Sequence, residues 1–508
     1  MKLKLKRISS ILLSIALCLM MMASCNQKKD PDRSKDENSS SVSQDTSETT
    51  NNEDTDSSET GTEQTGNQTA GNTTGKTNKS AGSTTSSVGS KLDLKGRTIT
   101  IALFGGEEIF TKKDGIYFEA LKAAEKDYNC KIKIVTYPIL ELITKVEQAA
   151  VAGTVPFEAA MVEGYHAVPK NALSGQYLCL SDYVSFDDTP WKDPVVKDIG
   201  VFKGKRYTIP LTPAAPTGIY YNKKLVKAAN LPDPWTYVDK GTWNWATFKS
   251  FAKALTKDTN NDGKPEQFGF ISENPFYEFI ITNGGQIIDI SSGSGVLKIG
   301  EPNAVEAINF VLELYEEKII PDPELMARSG IESAFLGMTT GKVAMFPYHI
   351  GYGPYLTDQT KFKVSDVGWV YFPQGNKKKE YTSPIASPAS QIMVLRHVKQ
   401  PKEVITVLKS ALTFWDTSKS FGISFNDYSK KVAEEDLYLD FLTGNHLKMY
   451  QNLVGKTQCY NTLSYSDANN MLLTMLFEIR EKKYTVSSGI DAYKNMVQQA
   501  IKDAETAG

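Results

Sequence analysis

Between Arg97 and Gly164 the chain switches repeatedly between two apolar spacings. "RTITIALF", "KIKIVTYP" and "FEAAMVEG" have the β-branched, apolar character of strands. The segments between them, "GIYFEALKAAEKDYN" and "ELITKVEQAAVAG", have helical spacing, and Phe118, Leu121, Ala124 and Tyr128 approximate one face of the first. A strand-helix-strand-helix-strand run reads as an α/β unit with parallel strands and right-handed crossovers. It places loops at the carboxyl ends of the strands, where ligands bind in open sheets of this kind. Two such loops are "FGGEE", Phe104 to Glu108, and "EGYHAVP", Glu163 to Pro169. Neither is a phosphate cradle, because the first lacks the G-x-G-x-x-G spacing and carries Glu107 and Glu108 where an anion would need N–H groups.

Before this unit the composition changes twice. "MKLKLKRISS" holds Lys2, Lys4, Lys6 and Arg7, and the uncharged run "ILLSIALCLMMMAS" follows. That order is an export signal, and the apolar run is short for a spanning helix, which needs roughly 20 residues. Met22 to Cys25, "MASC", resembles the lipobox of bacterial lipoproteins, with methionine where leucine is usual. The likeness implies a signal peptide over 1–24 and acylation of Cys25, giving a membrane lipid anchor; a plain secreted protein is the alternative. Residues 25–90 are Ser, Thr, Asn and Gly with scattered charges, too poor in apolar side chains to offset backbone entropy, and read as a disordered tether.

Residues 91–508 have ample apolar content for two or three domains. A formal net charge of -2 leaves no electrostatic footprint for nucleic acid. Beyond the signal and Cys25, only Cys130, Cys179 and Cys459 remain, enough for one disulfide at most. With His166, His349, His397 and His446 they make no metal-binding spacing, and no nucleophilic triad is visible.

Further along, Pro210, Pro213 and Pro216 forbid a helix and mark an extended crossing segment. A helix then follows, with Thr242 as its expected cap and Trp245, Phe248, Phe251, Ala252 and Leu255 as an apolar stripe. At its end lies "DTNNDGKPEQFGF". Counted as an EF-hand loop, Asp258, Asn260 and Asp262 fall on the first three ligand positions and Gly263 on the turn. Lys264 falls on the carbonyl position and Glu266 on the ninth, but the twelfth is Gly269 instead of glutamate. The segment is therefore read two ways: as a structural calcium site completed by a further carboxylate, or as a polar turn in which Gly263 takes a positive φ.

Taken in order, "GKRYTIPLTPAAPTGIYYNKKL", "TWNWATFKSFAKALTKDTNNDGKPEQFGF", "NGGQIID", "AFLGMTTGKVAMFPYH" and "VGWVYFPQG" resemble the extracellular solute-binding proteins of family 1, the lipoprotein receptors of bacterial ABC importers. The resemblance implies an α/β, two-lobed periplasmic-binding-protein-like fold of class II type with an interlobe ligand cleft. On that pattern 91–211 plus 389–418 form the N-terminal lobe and 212–388 plus 419–508 the C-terminal lobe. "TIPLTPAAPTG" and "SPIASPAS" become hinge strands, with bending absorbed at Gly218 or Ser390.

The positions matching the family's cleft loops are Glu107, Glu108, Glu163, Tyr165 and His166 from the first lobe. From the second come Asn274, Phe276, Tyr277, Tyr348 and His349. A sugar offers C–H patches for stacking and a rim of hydroxyls for hydrogen bonds, so Tyr165 and Tyr348 are the expected platforms. Trp243, Trp245 and Trp369 are expected in the core. The implied function is a lipid-anchored, monomeric receptor that captures a carbohydrate, foremost an oligosaccharide, and delivers it to the permease subunits of an ABC transporter without altering it. A same-fold receptor for a non-sugar ligand is one alternative. A secreted carbohydrate-active enzyme is the other, and it would need two carboxylates about 5 to 9.5 Å apart across a bond, for which no motif is present.

Overall fold

The computed structural model describes residues 92–506, apart from 213–214, 323–332, 352, 354–355, 357–361, 387–388, 425–426, 429–430 and 432–440. The signal segment 1–24, Cys25 and the 25–90 tether lie outside the described residues.

The opening unit folds as its spacing requires: β1 (Thr98–Leu103), α1 (Phe118–Tyr128), β2 (Lys131–Thr136), α2 (Ile139–Ala152) and β3 (Ala159–Val162). β1 pairs in parallel with β2 on one side and β3 on the other. Alternation along β1 sends Ile99, Ile101 and Leu103 to one face, against Leu121 and Ala124 of α1. Ala102 faces the opposite side, where Leu142, Val146 and Ala149 of α2 cover the sheet.

After β4 (Ile209–Pro210) the chain leaves this sheet and enters a second one through β5 (Thr217–Asn222). There follow α3 (Trp245–Leu255), α4 (Pro275–Thr282), α5 (Pro302–Glu316), β6 (Met345–His349) and β7 (Val367–Val370). The second sheet has the order β6-β5-β7, all antiparallel. The chain returns through β8 (Ser383–Ile385) to β9 (Gln391–Val394), which completes the first sheet in the order β2-β1-β3-β9-β4. α6 (Pro401–Ala411) then packs on α1. β10 (Thr457–Cys459) pairs in parallel with β8, and the long helices α7 (Ser466–Arg480) and α8 (Val486–Ala504) pack on each other.

The two crossing segments run side by side. Pro210 is paired with Gln391, and the Leu211 N–H donates to the Ser390 carbonyl at 3.1 Å. At the other end the Thr217 N–H donates to Ser383 Oγ at 2.7 Å. Ile423 and Tyr428 still pack against the first core, so that body extends past the expected boundary at Ser418.

The second core is built from aromatic rings. Trp245 of α3 stacks on Phe310 of α5 at 4.4 Å, and Phe279 of α4 lies 5.3 Å from Phe310. Trp243, Trp245 and Trp369 are buried, as expected. Asn244, not Thr242, caps α3: its Oδ1 accepts the Thr247 N–H at 3.1 Å, whereas the Thr242 hydroxyl donates to the Tyr237 carbonyl. Nor is Gly218 a hinge, because it lies within β5 opposite Tyr348. It lacks a side chain so that Trp369 and Met449 can close over the strand; a Cβ there would stand 2.7 Å from the Trp369 ring and 2.3 Å from Met449 Cε. Gly218→Ala is therefore expected to cost about 1–3 kcal/mol through overpacking, read as a lowered Tm in a thermal melt. An unchanged Tm would show that the ring and thioether yield without cost.

Candidate ligand cleft

The carboxyl edge of the first sheet carries the two loops flagged by sequence. After β1, Gly106 turns the backbone at φ 72°, and Glu107 and Glu108 begin the one-turn helix Glu108–Thr111 with both residues half-buried. After β3, the Glu163 carbonyl accepts the His166 N–H at 2.9 Å and closes a single turn over Gly164–His166. The Tyr165 and His166 rings lie 4.2 Å apart. Burial, with Lys170 adding to it, pushes the His166 imidazole down to about 4, and burial raises the Glu163 carboxyl above its usual range.

This second loop is held from beneath. Gln391, fully buried at the start of β9, donates from Nε2 to the Gly164 carbonyl at 3.4 Å and accepts the Thr208 hydroxyl on Oε1. Gly200, at φ 70°, makes room for the pair; a Cβ there would lie 1.7 Å from Thr208 Oγ1. The returning strand and the loop after β3 are thus joined by buried hydrogen bonds, whose loss would leave polar atoms unsatisfied.

On the second body, Tyr348 and His349 end β6, with ring centroids 4.7 Å apart. Tyr348 is half-buried and His349 exposed. The strand end is fixed by the Tyr220 hydroxyl, which donates to the carbonyls of His349 at 3.0 Å and Ile350 at 2.8 Å. Burial nevertheless pushes the His349 imidazole down to about 4. Asn274 precedes α4 half-buried, and its side chain does not cap the helix.

Two expected contact residues belong to the packing instead. Phe276 is buried and stacks on Tyr315 at 6.0 Å. Tyr277, 2% exposed, donates from its hydroxyl to Asn469 Oδ1 at 3.3 Å and packs on Tyr460. The helical turn that leaves Asn274 half-buried rotates both rings into the core.

Sequence reasoning missed the C-terminal contribution. The turn Thr462–Ser464 touches Gly164–His166 and Ala167–Asn171, so a segment following β10 meets the loop after β3. Thr462 is fully buried, and its hydroxyl has no hydrogen-bond partner among the described residues. "YNTLSYSD" carries no periodicity that could have revealed this; its one local signal is Asn461, which takes φ 59°. A separate concavity, away from these loops, is lined by Ser181 to Asp187, Trp191 and Arg206. There the buried Arg206 guanidinium donates to the carbonyls of Ile199 and Lys197 at 2.8 and 2.7 Å and lies 4.9 Å from the Trp191 ring.

The loop after α3 is closed at its base by the Lys257–Gln267 bridge. Its interior is organised by acceptors: Asp258 Oδ2 takes the Gly263 N–H, Asn260 Oδ1 the Asp262 N–H, and Asp262 Oδ1 the Lys264 N–H. Glu266 folds back to accept from Thr259 and from Asn260 Nδ2. As a result, carboxylate oxygens of Asp258, Asp262 and Glu266 lie within 4.8 Å of one another. Asp258 Oδ1 is shielded from solvent and without a hydrogen-bond partner among the described residues. This all-oxygen donor set fits a hard cation, with Glu266 supplying a third carboxylate from inside the loop.

Among the described residues no helix is long and apolar enough to cross a membrane. Residues 111–414 match the family described as bacterial extracellular solute-binding protein. An uncharacterised ABC transporter extracellular-binding protein of Pyrococcus horikoshii is 24% identical over 209 residues, 40% of this chain and 45% of that protein. The chain thus matches less than half the length of that relative.

Among solved structures, the cyclic alpha-maltosyl-1,6-maltose binding protein of Arthrobacter globiformis aligns with a TM-score of 0.56 at 15% identity, over 81% of this chain and 100% of that one. An open conformation of a sugar transporter protein from Rhizobium etli gives 0.56 at 16% identity, over 80% and 99%. The maltose/maltodextrin-binding domain of Bdellovibrio bacteriovorus, bound to maltotriose, gives 0.51 at 18% identity, over 80% and 100%. Two sheets joined by paired crossing strands, together with a family match over residues 111–414, make this chain a bacterial extracellular solute-binding protein with a two-lobed, periplasmic-binding-protein-like α/β fold.

Proposed function

We propose that the chain captures an uncharged carbohydrate, foremost an oligosaccharide, between its two sheets and delivers it unaltered to the permease of an ABC importer. The observation that carries this reading is the pair of rims Tyr165–His166 and Tyr348–His349, each an aromatic ring beside an imidazole held neutral at physiological pH. Such walls offer faces for C–H patches and uncharged donors and acceptors for hydroxyls. Glu107, Glu108, Glu163 and Asn274 add hydroxyl acceptors. The Arthrobacter and Bdellovibrio neighbours, which bind a cyclic maltosyl-maltose and maltotriose, support the ligand class. An acylated Cys25 would hold a monomeric receptor at the outer membrane surface of the cell beside its transporter, and no chemistry on the ligand is required.

Within the same reading, calcium binds in a structural role. Asp258, Asp262 and Glu266 would hold it, with Asn260 and the Lys264 carbonyl as further oxygens. The ion would supply the counter-charge that three converging carboxylates lack.

Two outcomes are expected. In calorimetric screening against neutral oligosaccharides with maltotriose included, at least one sugar binds and is recovered intact, and Tyr165→Ala and Tyr348→Ala each weaken it about 3- to 10-fold, the loss of one stacking face. Recovery of cleaved sugar, or binding confined to peptides, would overturn the assignment. Metal-stripped protein titrated with calcium releases or absorbs heat and gains about 2.7 kcal/mol of stability at 100 times Kd. Asp258→Asn abolishes both effects. Absence of heat and of any rise in Tm in the unsubstituted protein would leave the loop a polar turn.

A further inference from the structure

The turn that presents Tyr165 and His166 hangs on one backbone carbonyl. Gly164 O accepts the Ala167 N–H within the turn and also takes an N–H of Gln391 Nε2 at 3.4 Å. That carbonyl and the Tyr165 N–H belong to one planar peptide group. Whatever aims the carbonyl therefore aims the bond by which Tyr165 leaves the turn.

Gln391 stands between the ligand loop and the crossing strands. Its backbone is paired with Val162, the last residue of β3, on one side and with Pro210 of the outgoing crossing strand on the other. Its side chain is fully buried, as is that of Thr208. The bonding pattern allows the amide one orientation. A carbonyl oxygen only accepts, so the amide must turn Nε2 to Gly164, which leaves Oε1 for Thr208. The Thr208 hydroxyl must then donate. The result is a directed relay, from Thr208 O–H to Gln391 Oε1 and from Gln391 N–H to Gly164 O, in which each bond polarises the next. Gly200 leaves the space for it: a Cβ there would stand 2.7 Å from Gln391 Oε1 as well as against Thr208.

We propose that Thr208 and Gln391 are positioning residues for the ligand: their relay aims the Gly164–Tyr165 peptide, and with it the Tyr165 ring, and so sets the affinity of the crevice. This rests on the reading of Tyr165 as a stacking platform. Both side chains are buried beneath the turn, so their effect on the ligand passes through it. The pairing of β9 with β3 and β4 is made by backbone groups and survives the loss of either side chain. Removing the relay therefore frees the turn and leaves the sheet. The Thr462 hydroxyl, on the segment that packs against the same turn, forms no hydrogen bond among the described residues and does not duplicate the relay.

The test compares the full chain with four variants. Thr208→Val keeps the shape and removes the donor, Thr208→Ser keeps the donor, Gln391→Met keeps the length and removes the amide, and the fourth combines Thr208→Val with Gln391→Met. Calorimetry gives the affinity for maltotriose, or for the tightest sugar of the screen. Hydrogen exchange reads the His166 and Ala167 amides against those of β3 and β9, and a melt gives Tm. Thr208→Val and Gln391→Met are each expected to lose about 3- to 10-fold in affinity, the worth of one buried hydrogen bond. Exchange at 166–167 quickens roughly tenfold in both while the strands stay protected. The double variant is no weaker than the weaker single one, because both substitutions break the same relay. Thr208→Ser keeps nearly full affinity. A lowered Tm with affinity and turn exchange unchanged would overturn the proposal, as would additive losses in the double variant or equal losses in Thr208→Ser and Thr208→Val. Should Gln391→Met fail to fold, the two Thr208 variants decide alone. If the unsubstituted protein binds no sugar, the carbohydrate reading fails, while exchange at 166–167 still judges the relay.

Discussion

The architecture depends on two strands that cross between the sheets as neighbours instead of apart. Pairing of Pro210 with Gln391, the bond from Leu211 to Ser390 and the bond from Thr217 to Ser383 tie the outgoing and returning segments at both ends. Because backbone hydrogen bonds are directional, such a pair resists shear and twist more than it resists bending across its width. Each body is stiff on its own account: the first has a sheet covered on both faces, and the second a core of interlocked rings.

A two-lobed receptor gains when the loops at the mouth of its cleft keep their shape. Here each is braced by buried hydrogen bonds to its own body. Gln391 and Thr208 steady the turn after β3, Tyr220 steadies the end of β6, and Glu278 accepts the Ser272 hydroxyl of the loop before α4.

Much of this was legible in the sequence where periodicity is strong. The opening strands and helices, the burial of Trp243, Trp245 and Trp369, and the placing of Glu163, Tyr165 and His166 after a strand all followed from spacing or family likeness. Apart from the cap of α3, which is a local matter, the failures turned on contacts between residues distant in sequence. Gly218 looked like a flexible point, but Met449, more than 200 positions on, occupies the space where its side chain would be. Phe276 and Tyr277 looked like ligand contacts until the pitch of α4 turned them toward Tyr315 and Tyr460. β10 and the turn after it were invisible, because a three-residue strand pairing with a distant partner leaves no local pattern. The loop after α3 was the opposite case: its convergence on Asp258, Asp262 and Glu266 arises within nine residues and could be counted from the text.

The two uncharged imidazoles at the rims bear on kinetics as well as on choice of ligand. An uncharged ligand would respond to no local field, and its encounter with the protein would be left to unassisted diffusion. For such a ligand, discrimination would reside in how long each candidate stays rather than in how fast it arrives, so dwell time would be the quantity on which selection can act.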